Sequence, residues 1–185
     1  MLAPGRAATA AQRIVSFAVA AMDGCDEAGL CADSGLNPQT VPSALMARLD
    51  ALQTQAGQGP RLDALGGLDS VYVPDLLDDQ CWPLFSPEAA RLGFRSALAY
   101  RLTVEGNTVA ALQMYAHLPG AFNATERAQG LIFASYAGLA FSLAQAQEAD
   151  EERIENLHTA LSSREVIGQA QGILMERERI TADQA

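Results

Sequence analysis

Hydrophobic and polar positions change their period several times along the chain, and each change predicts an element. Near the N-terminus Ile14, Phe17, Ala18, Ala21 and Met22 recur at i, i+3, i+4, i+7 and i+8, the spacing of a helix that docks one face on a core. Asp23-Gly24 ends it. The run E-A-G-L-C-A within 26–32 predicts a short strand, and S-G-L-N-P-Q after it a turn. Ser43 caps a helix carrying Leu45, Met46, Leu49 and Leu52. G-Q-G-P at 57–60 breaks that helix, and Pro60 suits the first turn of a brief helix, P-R-L-D-A-L. Ser70 to Val73 reads as a strand halted by Pro74-Asp75. A loop with the single Trp follows, then a short helix from Ser86 or Pro87 to Leu92.

The strongest strand signal is Ser96 to Val104, where Leu98, Tyr100, Leu102 and Val104 alternate with Ala97, Ala99, Arg101 and Thr103. The turn E-G-N and the run T-V-A-A-L-Q-M-Y-A complete a hairpin. Asn123 with Glu126 three residues on caps a long helix. Running from 124 to about 178, it would be ~80 Å long at 1.5 Å per residue, so part of it is expected to leave the body. Helices, short strands, a hairpin and a long terminal helix predict an α+β fold on a mainly antiparallel sheet.

The last twenty-four residues, Ser162 to Ala185, begin as an amphipathic helix with Val166, Ile167, Ala170, Ile173 and Leu174 on one side. Gly168, Gln169, Gly172, Glu176 and Arg179 take the other. Two glycines four apart cost about 1 kcal/mol each inside a helix, and let a backbone or ligand come close. Thr181-Ala182-Asp183-Gln184 has the form of a capping box, so a second helix is expected to start there and to continue in a tail this chain lacks. Three Arg against four acids give the stretch a net −1, with no aromatic side chain to stack on a base.

Upstream, Ile154, Leu157 and Leu161 have the spacing of a coiled-coil seam and predict a parallel homodimer. The register extends back through Asp150, Gln147, Leu143, Ala140, Tyr136 and Phe133, with a loose joint expected near 147–150. The alternative is that Leu143 and the earlier residues pack on their own sheet while 154–161 folds back.

Composition narrows the picture. The 185 residues are 49% hydrophobic, enough for one core with an appendage, and carry a net charge of −10 with Arg as the sole basic residue besides two His. That balance argues against general affinity for nucleic acid or anionic membranes. Cys25, Cys31 and Cys81 are odd in number and show no metal-ligand spacing, which points to a reduced, cytoplasmic setting. Arg6, Arg13 and I-V-S-F-A-V-A-A-M mimic a signal peptide, but the helical spacing of the same residues favours a docking helix.

Two resemblances give these elements names. G-Q-G-P-x-L-D-A-L, V-Y-V-P-D-L, the W-P-L-F loop and L-G-F-R-S-A-L-A-Y-R-L come in an order and spacing that make residues 8–146 resemble a GAF domain. The run S-R-x-V-I-x-Q-A-x-G-I-L-M-E-R followed by I-T-A-D-Q-A resembles the opening of an ANTAR domain, an RNA-binding antiterminator module of bacterial regulators. The resemblance implies a GAF-like antiparallel sheet flanked by helices, with a long C-terminal helix leading into an incomplete all-α ANTAR bundle. It divides the chain into a sensor domain (8–146), a helical linker or coiled coil (147–161) and the N-terminal part of ANTAR (162–185). It implies stem-loop RNA as partner of the complete family member and transcription antitermination as its effect. Arg164, Gly168, Gln171, Gly172 and Arg179 are the RNA-facing candidates, Gln171 standing where the family often has Lys.

In GAF domains a small molecule is held between the sheet and the loops over it, and the corresponding residues are Tyr72, Asp75, Trp82, Phe85, Tyr100 and Tyr115. Trp82 and Phe85 either form an apolar lid over such a site or simply fill the core. Asp75, Asp78 and Asp79 lack the spacing of a calcium loop, and His117 and His158 read as surface imidazoles, so no metal, cofactor or catalytic constellation is expected. GAF-fold methionine sulfoxide reductases, with a nucleophilic and a resolving Cys, supply the enzyme alternative; Cys81 is in the corresponding region but has no basic neighbour in sequence. A redox-sensing thiol at Cys81 is the milder form of that reading.

Overall fold

The structure is a computed structural model that describes residues 5–32 and 43–178, with 161–163 and 165–178 as backbone only. The turn expected at 34–39, Arg179 and the capping box at 181–184 lie outside the described residues. The chain divides into two compact units, Met1–Gln145 and Ala146–Ala185. The first holds helix α1 (Arg6–Ala21), strand β1 (Glu27–Ala32), helices α2 (Ala44–Ala56) and α3 (Pro60–Leu65), strand β2 (Ser70–Val73), helix α4 (Ser86–Arg91) and strands β3 (Ser96–Val104) and β4 (Asn107–Ala116). Helix α5 (Ala124–Glu178) begins in this unit and continues into the second.

The four strands form one antiparallel sheet in the order β1-β4-β3-β2. Its centre is the β3–β4 hairpin. Glu105 (φ 51°) and Gly106 (φ 82°) both take left-handed conformations, as a two-residue type I′ turn requires, and Val104 pairs with Asn107 across it. A register shift at Leu102/Thr103 follows. Both faces of the hairpin are covered. Leu98, Tyr100, Leu102, Leu112 and Met114 point to the core shared with α1 and α5. Ala97 and Tyr115 point to a second core under α2 and α4, and Ala99 and Ala111 to the small one under α3. The small residues let those short helices sit close to the sheet.

Local signals start the helices. The Ser43 hydroxyl accepts from Met46 N–H at 3.1 Å. Asn123 and Glu126 close a reciprocal capping box: Glu126 N–H donates to Asn123 Oδ1 (3.0 Å) and Asn123 N–H to Glu126 Oε2 (2.8 Å). Two expectations about helix faces are corrected. In α1 the buried positions are Ala11, Ile14, Val15 and Ala18, with Met22 just beyond; Phe17 is 56% exposed and stacks on Phe133 at 5.0 Å. In α5, Ala134, Ala137 and Phe141 face the sheet. That rotation leaves Phe133 half-buried; Tyr136, Ala140 and Leu143 of the expected line are exposed, and Ile132 and Leu139 are exposed beside them. Leu143 and Tyr136 therefore do not pack on their own sheet. Among the described residues no helix is long and apolar enough to cross a membrane.

Helix α5 lies tight on the hairpin because its contact face is small. A Cβ at Gly130 would come 2.2 Å from the Tyr100 hydroxyl, and one at Gly138 3.1 Å from Thr103 O. The Tyr100 hydroxyl donates to Arg127 O at 2.8 Å, tying β3 to the first turns of α5. Gly130→Val should therefore lower stability by about 2–3 kcal/mol, the cost of overpacking a site that cannot widen. Urea denaturation of both proteins checks it; a variant as stable as the parent would show that α5 is not seated in this way.

Candidate functional site

The candidate site is a cavity of about 910 Å3 beside edge strand β2. Its walls come from Ser70–Val73, Asp63 of α3, the loop that follows β2, and Pro119-Gly120. Pro74 cannot extend the ladder, and its carbonyl accepts from Gly120 N–H at 2.7 Å. Asp75 then turns the chain. Its carboxylate accepts from Leu77 N–H (3.0 Å) and takes both Nε and Nη2 of Arg95. The Arg95 hydrogen bonds, with help from Leu77 N–H, hold Asp75 below its ordinary carboxylate value.

Asp79 organises the next stretch. It accepts from the backbone N–H of Cys81 (3.3 Å) and Trp82 (3.1 Å) and from the Ser86 hydroxyl (2.6 Å). The Trp82 indole N–H donates to Asp63 Oδ2 at 3.1 Å, and Leu84 N–H to Gln58 Oε1 at 2.8 Å. A loop without regular structure is thus pinned by Asp63 of α3, by Gln58 of the turn before α3 and by its own Asp residues. Asp63, Asp75, Asp78 and Asp79 line the cavity, and no Arg or His is among the lining residues.

Across the sheet, between α2, α3 and β4, lies a polar network. Gln53 Nε2 donates to Gln113 Oε1 (2.9 Å) and Tyr115 Oη (3.2 Å), and the Tyr115 hydroxyl donates to Gln113 Oε1 (3.1 Å). Arg61 N–H donates to Gln53 Oε1 (2.8 Å), while Gln113 Nε2 donates to Asp50 Oδ1. Arg61 Nε is 3.3 Å from Asp50 Oδ1, an ion-pair distance without hydrogen-bond geometry. Burial pushes the Asp50 carboxyl up, against the hydrogen bond from Gln113 and the charge of Arg61. Tyr115 is raised well above its ordinary value, first by burial and then by the Asp50 charge.

Of the residues singled out from sequence, Tyr72, Asp75 and Trp82 line the cavity. Phe85, Tyr100 and Tyr115 do not. Phe85 is fully buried against Trp82, with ring centroids 6.3 Å apart, and fills the core under α4. Tyr100 and Tyr115 point to opposite faces of the hairpin, each hydroxyl satisfied inside the protein. Tyr72 has Arg127 over its ring at 4.2 Å and Phe122 edge-on at 6.4 Å. Sequence reading missed Asp63 as a cavity residue, because its link to Trp82 is tertiary. It also missed Gln53 and Gln113; a lone Gln inside A-A-L-Q-M-Y-A was the available signal.

Cys25 is buried, and burial with the charges of Asp26 and Glu27 pushes its thiol up to about 12. Cys31 is half-buried with Arg61 Nη1 at 3.2 Å from its sulfur, and Cys81 is exposed at the cavity. Among the described residues no three His, Cys, Asp or Glu side chains converge as metal ligands. Ile154 and Leu157 are exposed on α5, as is Arg164. Leu161, Gly168, Gln171 and Gly172 belong to the same helix, their side chains outside the described residues.

The Asp75–Arg95 pair gives a pH test. A carboxyl lowered by folding adds stability above its unfolded value, and that stability is lost as the pH falls through the folded value. Wild type should therefore exceed Asp75→Asn in stability at neutral pH, with the gap closing once the pH drops below the ordinary 3.8. Denaturation midpoints of the two proteins across the acid range measure it, and a gap that does not change with pH would remove the pair as its source.

This geometry has known counterparts. The profile of the GAF domain matches residues 7–142, and that of the ANTAR domain residues 155–185. No protein of curated function matches the chain. Three solved structures share its fold. The GAF3 domain of Slr1393 from Synechocystis sp. PCC6803, in its photoproduct state, is 16% identical with a TM-score of 0.56, covering 78% of this chain and 98% of its own. A domain assigned to a two-component sensor histidine kinase protein of Sinorhizobium meliloti 1021 is 15% identical, TM-score 0.56, covering 76% and 94%. A type II free methionine-R-sulfoxide reductase of Thermoplasma acidophilum is 11% identical, TM-score 0.53, covering 75% and 96%. With 7–142 matched over most of its length, the chain belongs to the GAF domain family, and an ANTAR domain follows the GAF domain toward its C-terminus.

Proposed function

We propose that the chain is a cytoplasmic sensor-regulator in which a small molecule in the GAF cavity controls an RNA-binding ANTAR output, with transcription antitermination as the effect. The observation that carries this reading is the pairing of the two domains on one chain, with α5 beginning in the GAF unit and continuing into the ANTAR match as far as Glu178. ANTAR domains bind RNA, and RNA stem-loops are the partner this reading assigns. The working form is a homodimer. The ligand is neutral or cationic, because a phosphorylated one would meet four carboxylates and no lining cation.

A second reading keeps the sensor and the dimer and gives this 185-residue chain no RNA binding of its own. The net −1 of Ser162–Ala185 favours it, since phosphate contacts need Arg or Lys in excess. An enzyme reading has less behind it. The Thermoplasma reductase shares the fold alone at 11% identity, the Cys25 thiol is buried with its pKa pushed up, and a thiolate at Cys81 would face carboxylates.

Gel shifts at physiological salt separate the first two readings. The chain as it stands should bind stem-loop RNA weakly or not at all, and joining it to the remaining helices of an ANTAR bundle should produce selective binding that Arg164→Glu weakens. Selective submicromolar binding by the 185 residues alone would overturn the second reading; failure of the completed bundle to bind would overturn the first. Cys81→Ser should leave folding and any ligand response intact, and loss of a measurable methionine sulfoxide reductase activity in that variant would bring the enzyme reading back.

A further inference from the structure

Ser70, Val71, Tyr72 and Val73, the whole of β2, line the candidate cavity in succession. Side chains alternate between the two faces of a strand, so a hollow on one face would meet every second residue. This one runs along the edge of the sheet, where β2 has no neighbouring strand among the described residues. The phase of the β2–β3 ladder sets what that edge offers. Arg101 N–H donates to Asp69 O, so Asp69, Val71 and Val73 turn their backbone polar groups toward β3. Ser70 and Tyr72 turn theirs outward, and among the described residues no partner meets them there. Pro74 is next in the same phase, and its carbonyl accepts from Gly120 N–H at 2.7 Å. An open edge is a template for a further strand, and edges are ordinarily blunted by Lys, by Pro or by a cover. The surroundings of this one are acidic and apolar. Asp63 and Asp79 have no cation partner among the described residues, and Arg95, paired with Asp75, lies near the exposed Asp78. Leu68 lines the cavity, and Leu77 and Leu118, next in sequence to the lining Asp78 and Pro119, are 60% and 71% exposed.

We propose that this groove binds a short, extended peptide of alternating basic and apolar residues, which joins the sheet as a strand beside β2. The inference rests on the reading of the cavity as the sensory site and names the class of its ligand. Backbone groups of the peptide meet the N–H and C=O of Ser70 and Tyr72, as in other cases of strand addition. Length fits: four residues of β2 at ~3.3 Å each offer about 13 Å, the span of a peptide of four to six residues. The alternation follows from the two sides of the groove. Trp82, hydrogen-bonded to Asp63, packs in the core that Val73 joins, so carboxylates stand on that side of the sheet. Tyr72, Phe122 and the guanidinium of Arg127 stand on the other, which suits apolar side chains and repels bases. Period 2 along an added strand sends successive side chains to these two sides in turn. A second copy of the chain is a poorer occupant, because a two-fold axis through this edge would set the carboxylates against their own images. A lone small cation would answer the carboxylates and leave the open edge unpaired.

The test uses the full chain, with Trp82, the single Trp, as the fluorescent reporter at the cavity. A blocked hexapeptide alternating arginine and leucine should give a saturable change, and its glutamate counterpart none at tenfold higher concentration. Exchange of the Ser70 and Tyr72 amide protons, followed by NMR, should slow when the arginine peptide is bound. N-methylation at the odd or at the even residues of the peptide removes the donors of one edge, so one of the two methylated forms should bind and the other should not. Asp78→Arg, at an exposed position, should weaken the arginine peptide by about tenfold. Binding that leaves the Ser70 and Tyr72 amides unprotected, or that survives both methylations, would overturn strand addition. The same fluorescence change from blocked arginine alone at the same concentration would give the cavity to a small cation and leave the functional reading standing. Protection of the two amides that rises with protein concentration in the absence of peptide would give the edge to a second copy. Peptide binding that leaves the RNA gel shift of the completed bundle unchanged would uphold this ligand and overturn its control of the output.

Discussion

The β3–β4 hairpin must bury both of its faces, and the rest of the first unit follows from that demand. One face carries Leu98, Tyr100, Leu102, Leu112 and Met114, which need a broad cover, and α1 with α5 supplies it. The other carries Ala97, Ala99 and Ala111 around Gln113 and Tyr115. Small residues there bring α2 and α3 close enough for Gln53, Asp50 and Arg61 to satisfy the two buried polar side chains. Without that network, unpaired amide and phenol groups at the centre of the sheet would each cost about 1–3 kcal/mol. The interior between α2, α3 and the sheet is therefore crossed by hydrogen bonds. The candidate cavity lies at the sheet edge, where β2 is four residues long.

At that edge the loop after β2 is held by charge and not by packing alone. Asp75 is matched by Arg95, and Asp79 by two backbone N–H groups and a serine hydroxyl. Such anchoring fixes the cavity wall before anything enters it, so an occupant loses little to ordering the loop. It also biases the field inside toward negative, since among the described residues one guanidinium, Arg95, answers the four lining carboxylates, pairing with Asp75 and lying near Asp78.

Much of the fold was legible because its signals are local. E-G between two alternating runs gave the hairpin, Asn123 with Glu126 gave the start of α5, and Pro60 and Ser43 gave the starts of α3 and α2. Orientation was less legible, and for a reason visible in the residues. Helix α1 is rich in Ala, so the set through Ala11 and Val15 reads as well as the one through Phe17. Helix α5 has no charged residue from 128 to 147 to mark a solvent side, so Phe133 and Ile132 were equal candidates for the outer line. The site was legible in part. Tyr72, Asp75 and Trp82 sit on or just beyond β2, and they were named from the resemblance to GAF domains, which hold a ligand between the sheet and the loops over it. Tyr100 and Tyr115 looked like polar handles for a ligand, yet the hairpin register sends their side chains to opposite faces, where internal partners take both hydroxyls.

One ring serves two places at once. Tyr72 is a wall of the cavity, and it is also the surface on which Arg127, in the first turn of α5, lies at 4.2 Å. An occupant that moves the ring does work against that contact, and one that leaves the ring in place does none. Through this contact the exchange between cavity and helix is about 1 kcal/mol for a cation over an aromatic face, or roughly a fivefold bias between two settings of the helix start. A bias of that size would grade a response, and a steeper one would draw on further contacts, such as that of the Tyr72 ring with Phe122.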